Sequence, residues 1–255
     1  MQVIIRGSED EVARAAADVF SSYVRAGAVL GVATGSTPVG TYRELIRRHR
    51  AGDLSFAGTQ MFALDEYAGL SCDHPQSYAQ TIRREFASHV DIADSDVHVP
   101  NGAAADLVQA SREYEEDIDK AGGIDIQLLG VGTNGHIGFN EPGSSLNSRT
   151  RPMPLHPQTI ADNARFFDSA DEVPRRCITQ GLGTIQRAGH LLLLATGEKK
   201  ADAVARLVEG PVSASCPASV LQLHPTATVI VDDAAAAQLV HRDFYAVAAD
   251  GDVPA

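Results

Sequence analysis

The chain has 255 residues, 44% of them hydrophobic, enough for one large α/β domain with a sizeable core. Its 33 acidic against 21 basic residues leave a formal charge of −12, which excludes nucleic acid or an anionic membrane as the main partner while allowing one small anionic ligand. No run approaches the ~18 apolar residues of a membrane span. Met1–Arg6 is too short for a signal h-region, and Cys72, Cys177 and Cys216 lack disulfide or metal spacing, so a reducing cytoplasm is the expected location.

In chain order, Ser8-Glu9-Asp10-Glu11 carries a capping-box pattern, and Val12, Ala15, Ala16, Val19, Phe20 and Tyr23 recur behind it at helical spacing. The apolar run Ala28–Ala33 reads as a buried strand ending in Thr34-Gly35-Ser36-Thr37-Pro38. Thr37 as N-cap and Pro38 as first helical residue predict a helix there, with Tyr42, Leu45 and Ile46 facing inward. A strand over Gln60–Leu64 runs into Asp65-Glu66-Tyr67. A polar helix is predicted over about 104–120, then a strand over 124–129 that opens into Gly130-Val131-Gly132-Thr133-Asn134-Gly135-His136. The segment 143–175, rich in Ser, Arg, Pro and Asn, is too long for a plain connection and is expected to be a lid or binding loop. His190–Ala195 is a strand ending in Thr196-Gly197-Glu198-Lys199-Lys200, with a helix through Ala203, Leu207 and Val208, and Thr228–Asp232 is the last strand.

Apolar runs alternating with amphipathic helices predict an α/β fold, with an open, mostly parallel sheet and helices on both faces (Rossmann-like). No linker divides the chain, so a single domain over 1–255 is expected, with the lid insert around 150–175. Four of the strands end in polar or glycine-rich turns, and in a parallel sheet those ends lie on one edge, where open α/β sheets bind ligands.

Gly35, Ser36 and Thr37 supply small residues and backbone N–H groups at a helix start, a combination suited to phosphate, though an ordinary capped turn has the same composition. Lys199 and Lys200 sit early in a helix, against its macrodipole, which points to an anion nearby. Gly130–Gly135 matches GxGxxG, but the next residues, His136-Ile137-Gly138-Phe139-Asn140-Glu141-Pro142, cannot open a helix, and Arg151-Pro152-Met153-Pro154 follows where an acidic residue is needed, so a dinucleotide is rejected. His136 lies with Glu141, Asn134 and Asn140 in a loop at a strand end where no core packing is expected, the setting of an oriented acid–base histidine. No HExxH or Cys/His cluster calls for a metal. Asp65 and Glu66 are adjacent, so only one of them can aim at a shared site, where desolvation would raise a carboxylate into the range of a base. A phosphate cradle, a carboxylate base and a His backed by Glu, with no cofactor called for, form the kit for proton transfer on a phosphorylated sugar.

The set TGSTP at 34–38, LDEY at 64–67, GVGTNGHIGFNEPGSSLNSRTR at 130–151, NARFF at 163–167 and LQLHP at 221–225 closely resembles the glucosamine-6-phosphate deaminases, in order and over nearly the whole chain. The resemblance implies an isomerising deamination in which glucosamine 6-phosphate and water give fructose 6-phosphate and ammonia. It assigns Asp65 as the base that moves a proton from C2 to C1, His136 with Glu141 as the ring-opening pair, Gly35, Ser36 and Thr37 as the phosphate loop, and Arg165 and Lys200 as phosphate-binding cations. Asn134 stands where some members carry Asp, which leaves His136 one charge fewer to support its protonated form. Regulated members carry Arg-Ile-Lys-Thr where this chain has Arg151-Pro152-Met153-Pro154, so no activation by N-acetylglucosamine 6-phosphate is expected. The partner is therefore a small phosphorylated amino sugar, and a homo-oligomer is compatible with the sequence. A galactosamine-6-phosphate deaminase, a 6-phosphogluconolactonase-like enzyme and a non-catalytic phosphosugar sensor remain as alternatives.

Overall fold

The computed structural model describes residues 1–157, 160, 161, 164, 167, 169 and 172–249. The first strand, β1 (Gln2–Arg6), leads to α1 (Glu9–Arg25), where the Ser8 hydroxyl accepts from Glu11 N–H and Glu11 Oε2 accepts from Gly7 N–H, closing the N-terminus from both sides. There follow β2 (Val29–Val32), α2 (Ser36–Arg50), β3 (Gln60–Ala63), β4 (Asp65–Tyr67), α3 (Tyr78–Glu85), β5 (Val97–His98), α4 (Leu107–Lys120) and β6 (Ile126–Gly130). The second half contributes β7 (Arg151–Pro154), β8 (Arg176–Thr179), α5 (Leu182–Ile185), β9 (His190–Ala195), α6 (Ala201–Val208), β10 (Ala227–Asp232) and α7 (Arg242–Ala249).

A seven-stranded sheet in the order β1-β10-β9-β6-β2-β3-β5 is parallel throughout. Successive side chains of a strand point to opposite faces, and here both faces are apolar. Leu30, Met61, Leu128, Leu192 and Leu194 pack under Phe20 of α1 and Leu45 of α2. Phe62, Leu129, Leu191 and Leu193 pack under Ile118 of α4 and Leu207 of α6. That two-sided cover explains why the central strands read as unbroken apolar runs.

A second sheet, β4-β8-β7, is antiparallel and three-stranded. Leu64 joins the two sheets: its N–H donates to Val32 O at 2.9 Å, and its carbonyl accepts from Gln180 N–H at 2.9 Å. Asp65 and Glu66 therefore do not close the strand before them but begin a new one, with Asp65 in register with Thr179. The lid expected at 150–175 falls partly outside the described residues, and its start, Arg151–Pro154, is an edge strand of this small sheet.

Two predicted helix starts shift. The helix after β2 begins at Ser36 with Gly35 as N-cap, not at Pro38, because Gly35 (φ +106°) makes the turn that Thr37 was expected to make. Pro38 is tolerated in the first turn because the leading N–H groups of a helix have no intrahelical acceptor. The helix expected from about 104 starts at Leu107, where the Asp106 carboxylate caps the N–H groups of Val108 and Gln109 at 2.9 and 3.0 Å.

Candidate active site

The C-terminal edge of the parallel sheet opens into a cleft of about 650 Å³. Four strand ends converge on it: Thr34–Pro38 after β2, Leu64 and Asp65 after β3, Gly130–Thr133 with His136 after β6, and Lys200 after β9. Tyr67, Tyr78 and Phe139 form an aromatic wall, with Tyr78 and Phe139 stacked at 6.1 Å.

At one end of the cleft lies the start of α2. Gly35 has no side chain to cap the helix and no acidic residue occupies the first turn, so the N–H groups of Ser36 and Thr37 and the positive end of the helix face the cleft. Lys200 lines the same cleft, donates to Val131 O at 2.8 Å, and is pulled below its usual pKa by burial. A dianion here would meet a helix terminus and a cation together. Arg165 lies outside the described residues.

The adjacent carboxylates part company. Asp65 lines the cleft and is only 6% exposed; burial, with the Glu66 charge adding, pushes it up to about 8. Glu66 turns away and accepts backbone N–H groups from Tyr67 at 2.7 Å and from Tyr78 and Ala79 at 2.9 Å each, pinning the first turn of α3. Burial also raises Glu66, against those hydrogen bonds. Asp65 is thus the member of the pair that faces a ligand, and its raised pKa makes it a strong base once it is ionised.

His136 follows β6 on a tight turn, with Gly132 N–H donating to His136 O at 2.9 Å. A Cβ at Gly132 would collide with the imidazole ring, which explains why glycine stands there. His136 Nδ1 is 3.4 Å from Glu141 Oε1, an ion-pair contact without the alignment of a full hydrogen bond. Asn134 braces that pair: its Nδ2 donates to Glu141 Oε2 at 2.7 Å and its Oδ1 accepts from His136 N–H at 3.1 Å. The contact with His136 foremost, and Asn134 with it, hold Glu141 below the usual carboxylate range despite partial burial. Asn134 therefore acts on the pair through Glu141 and the His136 backbone rather than through the imidazole.

The described members of the expected set all gather at this edge. The aromatic wall was not anticipated from sequence. Its one visible signal was Ser77, which caps α3 by accepting from Gln80 N–H at 3.1 Å and so places Tyr78 first in a helix beside the site. Among the described residues, no cluster of His, Cys, Asp and Glu could hold a metal ion.

The profile of the family described as glucosamine-6-phosphate isomerases/6-phosphogluconolactonase matches residues 4–230. The glucosamine-6-phosphate deaminase of Corynebacterium kroppenstedtii is 64% identical over 245 residues, spanning 96% of this chain and 95% of the relative. A solved monomeric glucosamine-6-phosphate deaminase is 46% identical, with a TM-score of 0.90 over 93% of this chain and 100% of that one. The 6-phosphogluconolactonase from Trypanosoma cruzi, 21% identical with a TM-score of 0.76 over 94% of this chain and 97% of that one, shares the fold. The chain belongs to the glucosamine-6-phosphate isomerase/6-phosphogluconolactonase family.

Proposed function

We propose that this protein converts glucosamine 6-phosphate and water to fructose 6-phosphate and ammonia, acting in the cytoplasm on that phosphorylated amino sugar. The observation that carries the reading is a buried carboxylate with its pKa raised to about 8 facing a His–Glu pair across a cleft that ends in an open helix N-terminus. The substrate phosphate sits on Gly35, Ser36 and Thr37 with Lys200, and the family resemblance adds Arg165 to that set. His136, its ring steadied by Glu141, transfers the proton that opens the pyranose to the aldehyde. Asp65 takes the C2 proton, leaving an enolamine, and returns a proton to C1. The resulting imine at C2 adds water and releases ammonia, giving the ketose. Phosphate binding keeps C2 and C1 against one carboxylate for both transfers, so the binding energy is spent on orientation.

The reading over the family's lactonase branch rests on Asp65. Lactone hydrolysis needs an activated water and has no use for a base that visits two carbons. In β7, Arg151 is engaged by Asn140 at 2.9 Å and Ser144 at 3.4 Å, while Pro152, Met153 and Pro154 offer an anion no side-chain donor, and we read the enzyme as unregulated by N-acetylglucosamine 6-phosphate.

The test gives purified protein three substrates in parallel and follows the product each would yield: ammonia and fructose 6-phosphate from glucosamine 6-phosphate, ammonia and tagatose 6-phosphate from galactosamine 6-phosphate, and 6-phosphogluconate from 6-phosphogluconolactone. Stoichiometric release from the first, with a hyperbolic rate curve unmoved by N-acetylglucosamine 6-phosphate, is the expected result. Turnover of the lactone alone would overturn the reading. A sigmoidal curve made hyperbolic by that compound would overturn the regulatory part.

A further inference from the structure

Asn140 is fully buried beside the catalytic loop, and the chemistry described so far gives it no part. Its Nδ2 donates to Ile137 O at 3.0 Å and to Gln180 O at 2.8 Å, and its Oδ1 accepts from Arg151 Nη1 at 2.9 Å. Each polar atom of the side chain is therefore used, and the orientation is unambiguous: two carbonyls demand the amide nitrogen, and the guanidinium demands the oxygen. These bonds reach both halves of the site. Ile137 follows His136, and Glu141 follows Asn140, so the bond to Ile137 O closes the turn between the ring-opening partners. Gln180 donates its N–H to Leu64 O at 2.9 Å and its Nε2 to Ala63 O at 3.1 Å, the two residues that precede Asp65. The loop approaches the small sheet closely here: Phe139 N–H donates to Thr179 Oγ1 at 3.2 Å, and a Cβ at Gly138 would come within 2.9 Å of that oxygen.

Arg151 is half-buried, and its guanidinium is spent on neutral oxygens, Asn140 Oδ1, Arg149 O at 3.4 Å and Ser144 Oγ at 3.4 Å. Burial draws its pKa down. Among the described residues its partners are neutral oxygens, and the bond to Asn140 Oδ1 fixes which way the buried amide points.

We propose that Asn140, held in one orientation by Arg151, is a positioning residue that sets the His136–Glu141 pair against the strand carrying Asp65. The inference rests on the deaminase reading of the site. The described members of the phosphate grip lie at the start of α2 and after β9 and bond to none of the clamp's side chains, so loosening the clamp is expected to slow the chemistry with little effect on binding. In Asn140→Asp, a carboxylate oxygen faces two carbonyls and the turn is driven off Gln180. In Arg151→Met, Asn140 Oδ1 loses its donor and the amide can rotate. Arg151→Lys keeps a donor and restores part of the loss.

The experiment is steady-state kinetics on the full chain and its Asn140→Asp, Asn140→Ser, Arg151→Met and Arg151→Lys variants, with the His136 ring followed by NMR titration in each. Displacement of the pair by an ångström predicts kcat lower by about 100-fold in Asn140→Asp. With binding untouched, KM stays within about threefold. Arg151→Met falls in the same direction by about 10-fold, Arg151→Lys recovers part of that, and the His136 titration moves in every impaired variant. A kcat within about threefold of the parent, or a KM that rises as much as kcat falls, overturns the proposal. Should Asn140→Asp fail to fold, Asn140→Ser and Arg151→Met decide by the same criteria. Absence of turnover in the parent would refute the deaminase reading alone, and the His136 titration would then decide the clamp: unmoved in the variants, it overturns the proposal.

Discussion

At the scale of the residue, two neighbours with the same charge do opposite work. Asp65 ionises only near pH 8 because burial and Glu66 both oppose its charge. The free enzyme therefore needs alkaline conditions to present its base, and kcat/KM is expected to rise with pH through about 8. Bound substrate brings an ammonium at C2 beside the carboxylate, so the corresponding limb in kcat lies lower. Glu66→Gln removes the like charge, and the limb in kcat/KM should move down by about half a pH unit or more in a pH–rate profile. An upward shift would show that Glu66 acts through the start of α3 instead. Asn134 makes the second residue-scale case. Its Nδ2 is 2.7 Å from Glu141 Oε2, so Asn134→Asp would set two carboxylates face to face. The two then share a proton at acid pH, and the added charge beside the His136–Glu141 pair is expected to shift the ring-opening limb to higher pH. An unmoved profile would mean that Glu141 is held by His136 alone.

At the scale of the element, what was legible in the sequence is what local physics determines. Capping residues marked α1, and long apolar runs marked β2, β3, β6, β9 and β10 because both faces of the sheet are buried. The small antiparallel sheet was not legible. Its strands are three or four residues long, and β4 pairs with β8 across more than a hundred positions. Pro152 and Pro154 argue against a strand anywhere except at an edge, which is where β7 lies. The edge strand β5 was missed because it has two residues, whereas β1, with Val3-Ile4-Ile5, was weighed only as a signal segment and so passed over as a strand. The site itself was mostly legible because its residues stand at the ends of readable strands. The clamp around Asn140 was not, since it depends on the unread sheet. The start of α2 offers the element-scale test. Gly35 holds φ +106° with ψ 174°, a region essentially reserved for glycine, so Gly35→Ala adds about 1–3 kcal/mol of strain and tilts the N–H groups from the phosphate. KM should rise by about 10-fold with kcat little changed, and steady-state kinetics would read it. A fall in kcat at constant KM would place the phosphate elsewhere.

At the scale of the whole molecule, the site is held against folding stability. In the folded chain Asp65 keeps a proton up to about pH 8, whereas an ordinary aspartate releases it near 3.8. Between those values the folded state binds a proton that the unfolded state has lost, so this group's contribution falls as pH rises and is least favourable above 8. Asp65→Asn removes that penalty. Its Tm should exceed the parent's by about 3 °C or more at pH 9, with little difference at pH 4. Equal Tm values at both pH values would mean that Asp65 is not strained by its burial. The gain is expected to coincide with loss of activity, as when a site is maintained at the expense of stability.

The central claim is that Asp65 carries one proton from C2 to C1. The most direct measurement is the fate of deuterium in glucosamine 6-phosphate labelled at C2, followed by NMR of the fructose 6-phosphate formed by the parent and by Asp65→Asn. The account predicts that part of the label appears at C1 in the parent product, and that the variant turns over at least about 1,000-fold more slowly. Turnover of the variant at a rate close to the parent's, with label still arriving at C1, would contradict it and move the base to another group in the cleft.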